Sequence, residues 1–275
     1  MSNRRVLITG GTGYLAGFIV DALRDSCELT LLDLVAPPDA DPRADLPFVK
    51  ADVGDYDQMK AACKDQDLVV HLIALVRDRF GVPAAVYCDV MVKGTWHVAQ
   101  ACVEQGIKRL INISSIVAFG WPAPADLPSP PETGGKFTDG DLFYALSKGL
   151  GETVGKAYHE AYGLEVIHLR PGVIAGDGLN KGPQVPSEPT DHWFLYVDPR
   201  DVAQAVALAE KATISYGTYN IVSGRADGMF DWSGANHHIG SMCRPSAASL
   251  KITRNSPKIA KNQWSSPTEL VHRYS

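Results

Sequence analysis

Short runs of aliphatic residues alternate along this chain with longer stretches whose apolar positions recur at helical spacing. The runs at 6–9, 29–33, 48–53, 68–74, 109–115 and 165–170 read as strands, the last expected to be broken by Pro171. The stretches at 55–64, about 84–105 and 142–162 read as helices, with Gly106 and Gly163 placed to end the second and third. Strand runs that are apolar on both faces suit parallel strands covered from both sides. Strands alternating with helices imply an α/β fold, a doubly wound parallel sheet. The expected division is a dinucleotide-binding core over 1–172 and a small substrate-binding region over 173–275. A core helix and strand at about 197–224, including a short strand at 219–222, are expected to interleave with that region.

Three segments break the alternation: 121–141 and 176–191, both loop-like and the first rich in Pro and Gly, and the poorly periodic chain from 223 onward. The first two follow the C-terminal ends of the fifth and sixth strands, the edge at which such sheets bind ligands. From Arg244 to Arg273 the charges are mostly basic, which reads as a solvated tail.

The most specific local pattern is Thr9-Gly10-Gly11-Thr12-Gly13-Tyr14-Leu15-Ala16-Gly17, a strand running into a glycine cluster that opens a helix. Glycines allow a tight turn and a close approach of backbone to a pyrophosphate. The helix N-terminus then presents N–H groups and partial positive charge to the anion. Asp33 closes the next strand, where an acid can accept hydrogen bonds from a ribose. Together these features predict a dinucleotide site.

A second constellation carries reaction chemistry. Tyr144 and Lys148 lie four apart on a predicted helix and so share a face. An ammonium beside a phenol stabilises phenolate, which lets a tyrosine exchange a proton with a substrate hydroxyl or carbonyl. Ser115, at the end of the fifth strand, can hydrogen-bond the same substrate oxygen.

These residues, in this order, resemble the extended short-chain dehydrogenases/reductases of the NAD-dependent epimerase/dehydratase group. Within it the short architecture is similar to that of uronate dehydrogenases. Further matches are Asp52-Val53, His71-Leu72-Ile73-Ala74, Ser114 to Gly120, and Leu169-Arg170-Pro171-Gly172-Val173. The resemblance implies NAD as cofactor. It assigns the phosphates to Gly10, Thr12, Gly13, Tyr14 and Leu15, and the adenosine to Asp33, Asp52 and Val53. Leu72, Ile73, Ala74, Ile113, Pro171 and Val173 would line the rest of the cofactor, with Tyr144 and Lys148 at the nicotinamide ribose. Ser115, Tyr144 and Lys148 would be catalytic, and Val76, Arg77, Ser115, Ile116 and Trp193 would face the substrate. The implied activity is hydride transfer between NAD and a secondary alcohol, hemiacetal or carbonyl, a sugar or sugar acid being favoured. A sugar epimerase and a non-catalytic dinucleotide-binding regulator are the alternatives.

Departures from the group sharpen this picture. Met91 stands where an Asn usually helps position the active-site lysine and a relay water. Ile116 follows Ser115 where dehydratases carry an acid, and Ile116-Val117 replaces the Asn-His pair expected of a uronate reader. Lys181 is the only cation between Gly176 and Trp193, so the substrate is expected to be less acidic than a uronate. The group commonly dimerises through the helices after strands four and five. Here Val90, Trp96, Val98, Ala101 and Val103, with Leu146, Val154 and Ala157, offer the apolar surface for core and interface.

Composition narrows the setting. The 275 residues carry a net charge of -5, which weighs against a nucleic-acid partner. No apolar run nears the roughly 20 residues of a membrane span, and the first strand begins almost at once, leaving no visible signal peptide. Five scattered cysteines (Cys27, Cys63, Cys88, Cys102 and Cys243) are expected to be free thiols in the cytoplasm. His237-His238 lack ligand partners at suitable spacing, so no metal is expected.

Overall fold

The computed structural model describes residues 3–75, 81–121, 131–132, 134–176 and 196–222. Seven parallel strands form one sheet in the order β3-β2-β1-β4-β5-β6-β9. They are β1 (Arg4–Thr9), β2 (Cys27–Asp33), β3 (Phe48–Lys50), β4 (Leu68–His71), β5 (Arg109–Ile113), β6 (Glu165–Pro171) and β9 (Tyr216–Ile221). A separate two-stranded sheet pairs β7 (Val173–Ile174) with β8 (Tyr196–Val197). Two residues per strand leave no periodicity to read, so this pair has no counterpart in the sequence expectations.

Helices cover both faces. On one side α1 (Tyr14–Leu23) and α6 (Pro199–Lys211) bury Ile19, Val20, Leu23, Val202 and Val206 against β1, β4, β5 and β6. On the other, α2 (Tyr56–Ala62), α4 (Gly94–Glu104) and α5 (Leu142–Tyr162) bury Met59, Val98, Cys102 and Tyr158. Each fully buried aliphatic side chain contributes roughly 1.5–3 kcal/mol. Helix ends follow local chemistry: Asp55 and Asp198 accept backbone N–H bonds as N-caps, Pro199 opens α6, and Gly163 closes α5 at φ 71°.

Strands β3, β4, β5 and β6 end differently from the hydrophobic runs that predicted them. The third run ends as a strand at Lys50, the fourth at His71 and the fifth at Ile113. Residues 51–53, 72–74 and 114–115 therefore lie just past the strands, at the ligand edge, although most of them are as apolar as strand residues. Pro171 does not break β6; it is the last residue, where its carbonyl accepts from Ile116 N and its missing N–H costs nothing. The helix expected over about 84–105 is interrupted. Between α3 (Ala84–Tyr87) and α4 the chain makes a π-helical segment over Cys88–Lys93. Thr95 Oγ1 donates to the Met91 carbonyl at 2.6 Å and competes for that acceptor. Gly94 then packs so tightly that an added Cβ would lie 2.8 Å from the Val53 methyls.

From β1 the chain winds outward to β2 and β3, then returns across β1 to β4. The β1–β4 boundary is thus a topological switch point, where open sheets of this kind leave a crevice for ligands. Among the described residues no helix is long and apolar enough to cross a membrane, and no cluster of His, Cys, Asp or Glu could hold a metal ion. Cys27, Cys63, Cys88 and Cys102 are free thiols. Val76, Arg77, Lys181, Trp193, His237, His238, Cys243 and the basic tail lie outside the described residues.

Candidate active site

The glycine turn sits at the switch point. Gly10 takes φ +72°, and a Cβ there would come within 3.2 Å of Ile73 N, so backbone meets backbone across the crevice. A Cβ on Gly11 would lie 2.9 Å from both the Ile8 carbonyl and Leu31. Gly11 N donates to Leu32 O at 3.0 Å, and Thr12 N and Oγ1 donate to Asp33 Oδ2 at 3.2 and 2.7 Å. The other Asp33 oxygen accepts Leu34 N at 2.8 Å. The N-cap of α1 is Gly13, which offers no side-chain cap, and the first turn carries no acid. The helix α1 thus begins without a side-chain cap from its N-cap residue, an arrangement suited to an anionic pyrophosphate. The cradle fits a dinucleotide.

Around it lie the other residues expected to line a cofactor. Asp52 follows β3 and is partly exposed, its Oδ1 accepting Gly54 N at 2.8 Å, while Val53 is buried beside Gly94. Leu72, Ile73 and Ala74 leave β4 partly exposed, the first two beside Gly10. Tyr14 Oη donates to Ala175 O at 3.1 Å, tying α1 to the chain that follows Val173.

Ser115, Tyr144 and Lys148 converge at the same edge. The Tyr144 phenol and the Ser115 hydroxyl are hydrogen-bonded to each other. The Lys148 ammonium is 5.9 Å from the Tyr144 ring centre and donates to Ile113 O at 2.6 Å. Burial pushes the Tyr144 phenol above its ordinary range, and the bond with Ser115 pulls the other way. Burial drives the Lys148 ammonium down from 10.5 to about 8, Glu152 opposing it. The upward shift keeps the Tyr144 phenol protonated, so the lowering expected of a neighbouring ammonium does not appear in the cofactor-free protein, where burial outweighs the Ser115 bond. The helix approaches the loop after β5 so closely that a Cβ on Gly149 would collide with the Ala118 carbonyl. Ile116 and Val117 are buried and form a small apolar cluster with Ala145, against which Tyr144 and Val173 pack.

Two polar networks brace this cluster, and neither was legible as such in the sequence. Glu152, one turn after Lys148, forms a buried ion pair with Arg170 through bonds of 2.7 and 2.6 Å and accepts the Ser114 hydroxyl. Burial works against the Glu152 carboxylate, yet Arg170 holds it below the usual range. Arg170 also donates to Pro131 O at 2.6 Å and lies over the Phe119 ring. The pair joins α5 to β6, and the Ser114 bond joins both to the residue before Ser115. The second network runs through His71. Thr95 spends its hydroxyl proton on Met91 O, so its oxygen accepts from His71 Nε2–H at 3.2 Å, and Nδ1 accepts the Thr9 hydroxyl at 2.7 Å. Burial, with the Lys148 charge, lowers His71 to about 3, so the ring stays neutral. Met91 is itself 3% exposed, its side chain packed in the core. At this position the chain offers packing, where the resemblance leads one to expect an amide.

A third group was also missed. Arg43, buried in the turn after β2, bonds the carbonyls of the glycine turn and pairs with Asp41. Its only signal was an acid and an arginine two apart in a Pro-rich segment.

Comparison with known proteins identifies the family and the fold. The model of the NAD dependent epimerase/dehydratase family matches residues 6–195. L-arabinose 1-dehydrogenase (NAD(P)(+)) of Haloferax volcanii is 27% identical over 90% of this chain and 98% of its own. Uronate dehydrogenase of Pseudomonas putida is 24% identical over 90% of this chain and 86% of its own. Among solved structures, a mutant uronate dehydrogenase of Agrobacterium tumefaciens complexed with NAD superimposes with a TM-score of 0.71 at 21% identity. It covers 86% of this chain and 83% of that one, a likeness of fold.

Proposed function

Since the chain belongs to the NAD dependent epimerase/dehydratase family, we propose that it is an NAD-dependent dehydrogenase that oxidises the anomeric hydroxyl of a neutral sugar. The observation that carries this reading is the meeting of Ser115, Tyr144 and Lys148 at the sheet edge that also holds the glycine cradle. Bound NAD supplies the hydride acceptor. Tyr144 Oη takes the proton of the substrate hydroxyl, and Ser115 Oγ hydrogen-bonds the same oxygen and holds it in place. Lys148 would bind the nicotinamide ribose and Asp33 the adenosine ribose, one at each end of the dinucleotide. With NAD bound to accept the hydride, loss of the hydroxyl proton to Tyr144 would leave the hemiacetal as a lactone.

Charge at the substrate end favours a neutral sugar over a sugar acid. Ile116 and Val117 are buried and apolar, and a carboxylate beside them would lose hydration without a partner. The related arabinose and uronate dehydrogenases act on sugars of both kinds by name. Arg77 carries the charge that would reverse this preference in a substrate-binding role, and Val76 and Trp193 are proposed as further substrate contacts. In this reading the segments 173–195 and 223–275 supply the remaining substrate contacts. Absorbance at the NADH wavelength, screened across aldoses, uronates and small alcohols, tests the proposal. Net NADH with an aldose supports it; interconversion of sugar epimers without net NADH makes the protein an epimerase instead.

We also infer a homodimer in the cytoplasm. Trp96 on α4 and Phe143, Leu146, Leu150 and Tyr162 on α5 are exposed apolar side chains on neighbouring helices. Val98 and Ala101, expected to serve an interface as well, are fully buried and belong to the core. A second copy laid against this face would cover it isologously. Sedimentation that finds only monomer at micromolar concentration refutes the dimer. Free thiols at Cys27, Cys63, Cys88 and Cys102 suit a reducing compartment.

A further inference from the structure

Arg43 is 3% exposed and packs against the glycine turn. Its Nη1 donates to Gly11 O at 3.0 Å and Gly13 O at 2.8 Å, and its Nη2 to Thr12 O at 3.2 Å. Asp41 takes the rest of the fork, from Nε at 2.8 Å and Nη2 at 2.7 Å, and also accepts Arg43 N at 2.9 Å. Three consecutive carbonyls therefore converge on one guanidinium whose every donor is spent. Peptide planarity makes each of these carbonyls fix the N–H that follows it, because the two point in opposite directions across a trans bond. Anchoring Gly13 O to Arg43 aims Tyr14 N–H, the first amide of α1, the other way.

We propose that Arg43, locked by Asp41, is a positioning residue for the cofactor pyrophosphate, holding the turn's carbonyls so that the first amide of α1, Tyr14 N–H, is aimed at the phosphates. This rests on reading the cradle as an NAD site. Orientation outweighs charge here: the bidentate Asp41 neutralises the guanidinium, so the pair exerts little long-range pull on an anion. The same saturation removes Arg43 as a partner for a ribose 2′-phosphate, although it follows β2 closely enough in sequence to suggest that role. A lysine could not replace it, having a point charge where the turn needs a planar fork.

The test measures calorimetric affinity for adenosine, ADP and NADP in the wild type, Arg43→Lys and Arg43→Met, with hydrogen exchange of the apo turn alongside. Arg43→Met should bind ADP about tenfold or more weakly and bind adenosine unchanged, with faster exchange confined to residues 10–15. Arg43→Lys, which keeps the charge and should fold even where the methionine variant fails, should also lose ADP affinity. NADP should bind no worse to the variants relative to ADP than it does to the wild type. An ADP affinity equal to wild type in either folded variant overturns the inference, as does an equal loss for adenosine and ADP. Wild-type protein that binds no ADP overturns the reading of the cradle itself and the inference with it.

Discussion

Lys148 makes a measurable demand on stability. Its ammonium is buried in the folded protein with a pKa of about 8, against an ordinary value of 10.5. Below pH 8 both folded and unfolded chains carry the charge, and the folded state bears the full burial penalty. As pH rises from 8 toward 10.5, the folded protein releases its proton first, and unfolding must take one up again. Stability therefore rises through that window. Every pH unit between the two values corresponds to about 1.4 kcal/mol, so the whole gain is about 3 kcal/mol, of which about 2 kcal/mol has accrued by pH 9.5. Lys148→Met lacks the titrating group and should lack the gain. Urea unfolding of the cofactor-free protein at pH 7.5 and 9.5 isolates the effect, because all other groups titrate in both proteins. With a slope of about 3 kcal/mol/M, the wild-type midpoint should move upward by about 0.7 M relative to the variant. Midpoints that stay parallel between the two pH values would mean that Lys148 is not strained by burial, and the argument for its perturbed acidity would fall.

Other substitutions test other parts of the site. Tyr144→Phe should leave the fold and NAD affinity intact and lower turnover by about 10²–10⁴-fold; Ser115→Ala should cost less, since it orients the oxygen without moving the proton, and steady-state kinetics on an identified sugar ranks them. Asp33→Ala should erode the preference for NAD over NADP by about tenfold or more, given roughly 1.5–3 kcal/mol for a hydrogen bond to a charged group, as read by calorimetry. Glu152→Gln should destabilise the protein by about 3–5 kcal/mol, because Arg170 is left buried without its counter-charge, and a denaturant melt measures it.

The parts of this molecule that were legible in sequence are those governed by local pattern. The strand runs, the glycine turn and the spacing of Tyr144 and Lys148 are fixed by neighbours a few residues apart, and the parallel sheet follows from alternation. Strand ends were not legible, because residues such as 72–74 stay apolar after the ladder stops, where they face a ligand crevice. The supporting polar groups were not legible either. The apolar run around His71 marks it as a satisfied core histidine, which it is, but Glu152 and Arg170 are 18 positions apart and Thr9 and His71 are 62 apart, so nothing local names the partners. Arg170 and His71 lay inside recognised segments, yet their partners came only with the fold. Met91 shows the reverse case: its departure from the group was visible at once, and its setting among core side chains was not.

The π-helical segment at Cys88–Lys93 has a consequence for chain length. An i→i+5 turn holds one residue more than a regular helical turn. Between α3 and α4 the protein thus carries a residue that a straight helix would not need. Everything N-terminal to it is turned by about 100° relative to a regular continuation of α4. Val86 and Tyr87 are buried in that turned position. Removing one residue here would let the helix wind regularly and keep Val86 and Tyr87 on the core, whereas regular winding with the residue retained would swing them off it. A gap of one position in this helix, when this protein is set beside a shorter relative, therefore signifies a wider turn absorbed in place, with the same wall kept beside the active site.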